Sequence, residues 1–341
     1  MRGTTLAFIE SMAIKRRKRA AAGRRWITLQ DAKLAVALPV LWMFALTVPE
    51  RRWRTLCYRL ESIRASMNAS ELERVGCAAE RIIGAARRSF ERRSFALRVA
   101  AGATEHHLQV LRSRSRSGWK PMLHLEGAAH LDSALAAGRG AVLWVAHFCF
   151  NALATKKALR DAGYRVWHLS RPEHGFSKSK VGIALYNSIR TGTEREQLAG
   201  RIVFDRDRPG AAAVAAMRVL TQNGILSITA GDWEGQRIAG IDVCGGKLHL
   251  AVGAPRLARL SGAALLPVFT VRGANQQTIR VVIEPPLRVP SGGETDDALQ
   301  GAAQAFGGLL EQYVRRYPDE WRDWKKLEEV SASAQMPEDG R

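Results

Sequence analysis

From about residue 120 onward, short apolar runs alternate with segments whose apolar residues recur at helical spacing. The runs "PMLHLEG", "AVLWVAHF", "RVWHLS", "GRIVF", "GILSITAGD", "ALLPVFTVR" and "TIRVVIEPPL" have the length and β-branched content of strands. Helical patterns fall between them in "AAHLDSALAAG", from about 151, from Pro209 through Gln222, around "GAPRLARLSG", and from about Asp296 to Arg316. Six or seven strands separated by helices predict an α/β sheet.

The first third follows a different pattern. "ASELERVGCAAERIIGAARRSFERRSFALRVAAG" predicts two or three arginine-rich amphipathic helices, with Ser70 as N-cap and Glu73 completing a capping box. "LAVALPVLWMFALTVP", residues 34 to 49, is the most apolar run in the chain, flanked by Lys33, Arg51, Arg52 and Arg54. With Pro39 inside, it falls short of the ~20 residues a spanning helix needs, which leaves shallow insertion and full crossing both open. Trp42 and Trp53 suit a membrane interface, whereas a core helix is the competing reading. "KRRKRAAAGRR", residues 15 to 25, reads as a solvated arm or a helix on anionic headgroups, and "RSRSRSGWKP" as a turn before the sheet begins. The expected organisation is therefore a basic arm over 1–30, an apolar anchoring segment over 31–60 and an amphipathic helical layer over 61–116. An α/β domain over 117–330 and a disordered tail over 331–341 complete it.

Composition sharpens the choice of partner. The net charge of +20 predicts an anionic one. Residues 1–116 hold 24 Lys or Arg against 9 Asp or Glu, so most of the excess lies beside the apolar run and favours a lipid surface over nucleic acid. Four cysteines without a paired motif indicate neither a zinc site nor a disulfide framework. A cleaved signal peptide fits poorly, because the apolar run starts late and is followed by "PERRWR".

In open α/β sheets ligands gather at the carboxyl ends of the strands, and His147, Arg171 and Asp232 each follow a predicted strand. Four segments around them, "LEGAAHLDSALAAGRGAVLWVAHF", "SRP", "ITAGDWEGQRIAGIDVCGGKLHLAVGAPRLARLSGAALLPVF" and "YPDEWRDWKKL", resemble the lysophospholipid acyltransferase superfamily. Within it they resemble the bacterial lipid A biosynthesis acyltransferases. The resemblance spans about residues 30 to 328. It implies a mixed, mostly parallel sheet flanked by helices, with a helical, membrane-binding amino-terminal part. It also implies transfer of a fatty acyl chain, usually from acyl carrier protein, to a hydroxyl of a glycolipid at the cytoplasmic face of the inner membrane, with no cofactor or metal.

The family's signature is a histidine followed five residues later by a carboxylate. "HFCFNA" keeps His147 as the implied base but places Ala152 at the carboxylate position. Without that partner the imidazole lacks the group that fixes its tautomer and stabilises its charged form. Asn151, on the first turn of the following helix, could orient the ring through its amide oxygen; Asp232 could supply charge from a neighbouring strand; Glu234 is a third option. A catalytically weakened member that binds lipid or carrier protein without turnover is the rival reading. Cys149 raises a thiol nucleophile beside His147, although a small buried hydrophobe is its ordinary role. Arg171 has the position of the family's second-block arginine and suits a phosphate. Gly245 and Gly246 permit close backbone approach to a substrate, and Lys247 adds a cation. His168, His174 and His249 stand singly, without metal-ligand spacing.

Overall fold

The computed structural model describes residues 26–83, 90–171, 175, 177, 179–204, 208–231, 237–273, 278–290 and 295–329. The basic run at 15–25, His174, Asp232, Glu234 and the tail at 331–341 lie outside the described residues.

The apolar run forms helix α1 (Leu29–Thr47), with Pro39 inside it. Thr28 and Asp31 build its capping box, because the Asp31 carboxylate accepts from both the Thr28 amide at 2.6 Å and the Thr28 hydroxyl at 2.7 Å. Leu38 and Ala45 are buried, while Leu29, Val36, Val40 and Met43 stay exposed. Among the described residues no helix is long and apolar enough to cross a membrane. Helix α2 (Trp53–Ile63) follows, then α3 (Ala69–Ile83) and the long α4 (Arg92–Ser113). Ser70 does not cap α3. A 3-10 turn at Ala65–Asn68 runs straight into that helix, which leaves Ser70 inside its first turn.

The expected sheet is present with seven strands: β1 (Met122–Glu126), β2 (Ala141–Val145), β3 (Val166–Ser170), β4 (Gly200–Val203), β5 (Ile225–Thr229), β8 (Ala264–Arg272) and β9 (Thr278–Ile283). Their order is β1-β9-β8-β2-β5-β3-β4, and β8–β9 is the one antiparallel pair in it. Helices α5 (Ala128–Ala136), α6 (Ala154–Asp161), α7 (Ser188–Arg195), α8 (Pro209–Thr221), α9 (Gly253–Ser261) and α10 (Thr295–Arg316) make the connections and cover the faces. A π-helical turn at Ile183–Asn187 leads into α7. Every residue of β2 is buried, as a central parallel strand covered on both faces requires.

The glycine-rich stretch "DVCGGKLHL" forms a hairpin instead of a loop. Strands β6 (Ile238–Val243) and β7 (Gly246–Ala251) pair in register from Ile238↔Ala251 to Val243↔Gly246. Cys244 and Gly245 turn the chain with φ of 54° and 72°, the positive values that a two-residue hairpin demands. A short strand, β10 (Glu328–Glu329), adds to the free edge of β7.

One core joins the sheet to the helical layer. Trp144 packs on Phe306 at 4.3 Å, Phe269 stacks on Tyr313 at 3.9 Å, and Val75, Ala79 and Phe95 from α3 and α4 belong to the same buried cluster. A large apolar side chain buried in this way, such as Val75 or Phe95, contributes about 1.5–3 kcal/mol. The arginine-rich layer is thus part of what holds β2 in place. Arg272, at the end of β8, adds a polar lock: it donates to both oxygens of Glu105 on α4 at 2.8 and 2.7 Å and lies over the Phe150 ring at 4.7 Å.

Candidate active site

Beyond β2 the chain does not turn directly into a helix. Ala146 still donates to Val268 at 2.8 Å, and residues 147–149 then find a new pairing partner. Phe148 bridges Trp321 in antiparallel fashion, Cys149 donates to the Glu320 carbonyl at 2.9 Å, and Arg322 donates to the His147 carbonyl at 3.1 Å. The segment "PDEWRDWKK" is therefore folded back along the end of the central strand.

Two indoles hold that segment down. Trp321 and Trp324 are fully buried and meet edge to face at 4.9 Å. The Trp324 indole N–H donates to the Pro318 carbonyl at 2.8 Å, and its ring meets Phe95 of α4 at 5.6 Å. Between the two tryptophans sits Asp323, whose Oδ1 lies 2.9 Å from His147 Nδ1. Lys326 Nζ reaches the same oxygen at 3.0 Å.

This pair decides the electrostatics. Asp323 is 3% exposed. Burial works to raise its pKa, but the charges and hydrogen bonds of His147 and Lys326 outweigh it and hold the carboxyl well below the ordinary range. For His147 burial is also the leading influence, lowering the imidazole below its usual 6.5 against the upward pull of Asp323. The neutral ring is the prevailing form at pH 7. With Nδ1–H donated to the carboxylate, Nε2 is the nitrogen left to take a proton. The His147 side chain keeps 31% exposure, so its ring is in reach of a substrate.

His147 lines a cavity of about 320 Å³ with Asn151, Ala152, Lys156, His168, Arg171, Arg190, Arg322 and Lys326 among its walls. The structure thus brings His147, Asn151 and Arg171 together. Asn151 lies in a turn before α6 rather than in its first helical turn, since the helix starts at Ala154. Its amide is not the partner of the imidazole, because Nδ1 is bound to Asp323.

Ala152 sits beside the histidine in the same cavity, and the carboxylate missing there comes from 171 residues further along the chain. Sequence reasoning missed Asp323 although "YPDEWRDWKKL" was in view. The available signal was an acidic residue set between two tryptophans, but nothing local says that this segment doubles back on β2.

Gly245, Gly246 and Lys247 stand elsewhere. None lines the His147 cavity; the two glycines border a separate hollow between α3 and the β6–β7 hairpin. A Cβ on Gly246 would lie 2.8 Å from Leu327 and 3.0 Å from the Glu328 carbonyl, so its bareness admits β10 rather than a ligand. Lys247 Nζ lies 3.6 Å from Asp242 across the hairpin.

Cys149 is buried with its sulfur packed against Gly102 of α4, outside the cavity lining, and burial pushes its thiol up to about 12. That environment does not make a nucleophile. His168 is buried, with Nδ1 3.1 Å from the Ser227 carbonyl, and His249 lies 3.7 Å from Glu328. Among the described residues no group of three or more His, Cys, Asp or Glu could hold a metal ion.

Residues 78–326 match the family model of bacterial lipid A biosynthesis acyltransferases. The chain belongs to that family. Among solved structures, it is similar to the 1-acyl-sn-glycerophosphate (LPA) acyltransferase PlsC from Thermotoga maritima, with 13% identity and a TM-score of 0.35. That likeness covers 79% of this chain and 96% of the other. A search among curated proteins gives no match. In this lipid A biosynthesis acyltransferase, the carboxylate bound to His147 is that of Asp323, and position 152 is an alanine.

Proposed function

We propose that the protein transfers a fatty acyl chain from a thioester, carried by acyl carrier protein, to a hydroxyl of a lipid A precursor or a similar glycolipid. The observation that carries this reading is the His147–Asp323 pair at 2.9 Å, opening on a polar cavity in a chain of this family. His147 Nε2 takes the proton of the acceptor hydroxyl while the oxygen attacks the thioester carbonyl. The carbon–sulfur bond then breaks, and the imidazolium returns its proton to the departing thiolate. Asp323 fixes the tautomer and stabilises the imidazolium, and general-base assistance of this kind is worth about 10²–10⁴-fold. The weakened-member reading rests on Ala152, and a carboxylate already bound to the imidazole removes most of its force.

The same reading places the protein at the cytoplasmic face of a bacterial inner membrane. Support comes from the outer side of α1, where Leu29, Val36, Val40 and Met43 recur at helical spacing and Trp26 adds an exposed indole. Lys180 lies over that indole at 4.5 Å, and Arg51 and Arg52 are exposed past the other end of the helix. An apolar stripe bounded by cations fits anionic lipid.

Purified protein, acyl carrier protein charged with a labelled acyl chain, and a lipid A precursor in phosphatidylglycerol-containing vesicles test both parts. Label moves to the lipid if the reading holds, and Val36→Glu with Met43→Glu reduces both vesicle co-sedimentation and transfer. Absence of label in any lipid, with full vesicle binding, would favour a binding protein instead.

A further inference from the structure

Helix α1 touches the chain that walls the His147 cavity, and a buried carboxylate lies at the junction. Asp31, 4% exposed in the first turn of α1, divides its two oxygens between two tasks. Oδ2 accepts from the Thr28 amide and hydroxyl and so caps the helix, whereas Oδ1 accepts from the Ser177 hydroxyl at 2.5 Å. Ser177 is in turn clasped by Asn187. Its amide donates to the Asn187 carboxamide oxygen and its carbonyl accepts from the carboxamide nitrogen, both at 2.8 Å. Asn187 ends the π-helical turn that leads into α7, and Arg190, further along the same chain, stands in the cavity wall. Gly175 is in that wall as well, and a Cβ there would collide with the Asn187 side chain. Asp31, Ser177 and Asn187 thus form a continuous run of hydrogen bonds from α1 to the cavity.

The junction is close-fitting. A Cβ on Gly182 would collide with Ser177 Oγ and Asp31 Oδ1, so a bare glycine lets the carboxylate reach the serine. The Val181 amide donates to the Trp26 carbonyl at 3.1 Å, and Tyr186 and Ile189 pack on the same apolar cluster as Leu34, Leu41 and Trp42 of α1. Burial works to raise the pKa of Asp31, but the hydrogen bonds from Ser177, Thr28 and Ser179 outweigh it and hold the carboxyl at about 2. The contact is therefore charged throughout the neutral range. On its outer side the same helix carries the exposed stripe of Leu29, Val36, Val40 and Met43.

We propose that Asp31 is a positioning residue that couples the seating of α1 on lipid to the shape of the His147 cavity, through Ser177 and Asn187. Lipid that fixes α1 restricts the segment carrying Gly175 and Arg190, and the cavity wall is held in its transfer geometry when both are seated. The proposal rests on the reading of α1 as a lipid-facing helix. Its physical content is a coupling between two sites, which a shift at one and a readout at the other can measure.

Hydrogen exchange read by mass spectrometry tests it on full-length wild type, Ser177→Ala, Asp31→Asn and Thr28→Ala, with and without phosphatidylglycerol vesicles. In wild type, vesicles should slow exchange by about tenfold or more over 29–47 and over 180–195 alike, because a ligand of the ordered state suppresses local opening. Ser177→Ala should keep the slowing over 29–47 and lose it over 180–195. Asp31→Asn should act in the same direction on 180–195, and the double variant should lose no more than Ser177→Ala alone, as expected of two residues that act through one contact. Thr28→Ala trims the cap but leaves the Oδ1 contact, and should keep both effects. In the labelled transfer assay, vesicle-bound Ser177→Ala should show kcat lowered by about tenfold, the population shift that loss of one charge-assisted hydrogen bond brings, with co-sedimentation and KM for the acyl donor unchanged.

Slowing confined to 29–47 in wild type overturns the coupling and leaves lipid binding standing. Slowing over 180–195 that survives both Ser177→Ala and Asp31→Asn does the same. A wild type in which vesicles slow neither segment removes the lipid-facing reading and the coupling with it. Exchange reports the coupling even where no label is transferred, so a failure of the acyl-transfer reading stays separate.

Discussion

Replacing Asp323 by asparagine keeps the size of the side chain and removes its charge. The 2.9 Å contact to Nδ1 puts the carboxylate and an imidazolium about 4 Å apart between charge centres, worth about 4 kcal/mol in surroundings of effective dielectric about 20. Because the imidazole becomes charged only as it takes the acceptor's proton, that sum falls on the transition state and corresponds to about 10³-fold in rate. An amide can also stabilise the wrong tautomer, which extends the loss toward about 10⁴-fold. Transfer of label from acyl carrier protein to the lipid acceptor, followed in single turnovers, measures it.

The pH profile makes the same prediction independently. Wild-type kcat/KM should fall on the acid side with a midpoint below 6.5, since burial lowers the pKa of His147 and the neutral ring persists to lower pH. Asp323 opposes that lowering, so Asp323→Asn should move the acid limb lower still while the plateau drops, and the positive charge of Lys326, 3.0 Å from Asp323, adds to the displacement once that carboxylate is neutral. An Asp323→Asn enzyme within tenfold of wild type, with its acid limb unmoved, would refute the dyad.

Two further substitutions separate catalysis from architecture. Ala152→Glu restores the family's carboxylate position; with Asp323 already bound to the ring it should leave the rate flat or reduce it, and in the Asp323→Asn background it should recover part of the loss, both read in the same transfer assay. Glu105→Gln neutralises a carboxylate that both guanidinium contacts of Arg272 at the end of β8 depend on and should cost about 3–5 kcal/mol in urea unfolding, with vesicle binding by the folded fraction unchanged.

How far these features were legible in the sequence depends on the range of the contact. The central sheet was, because β2, β5 and β8 read as apolar runs bounded by turns, which is how buried parallel strands write themselves. The β6–β7 hairpin was not, since Cys244–Gly245 lacks the usual Asn-Gly or Asp-Gly turn and the glycines suggested a ligand loop. His147 and Arg171 were legible as polar residues at strand ends, and the structure gathers them with Asn151 into one cavity.

Asp323 was not legible. Its partnership depends on a backbone pairing between 147–149 and 320–322 that no local pattern encodes, and the resemblance directed attention to position 152. The α1 cap shows the same limit at shorter range: Thr28 and Asp31 fit the capping pattern, but the apolar run was read from residue 34.

The central claim is that His147 is the base of an acyl transfer to lipid. Lipid mass spectrometry of cells lacking the protein, complemented with wild type or with His147→Ala at matched protein levels, tests it most directly. The account predicts an acylated lipid that disappears on deletion, returns with wild type and stays absent with His147→Ala. Its return with His147→Ala would contradict the account.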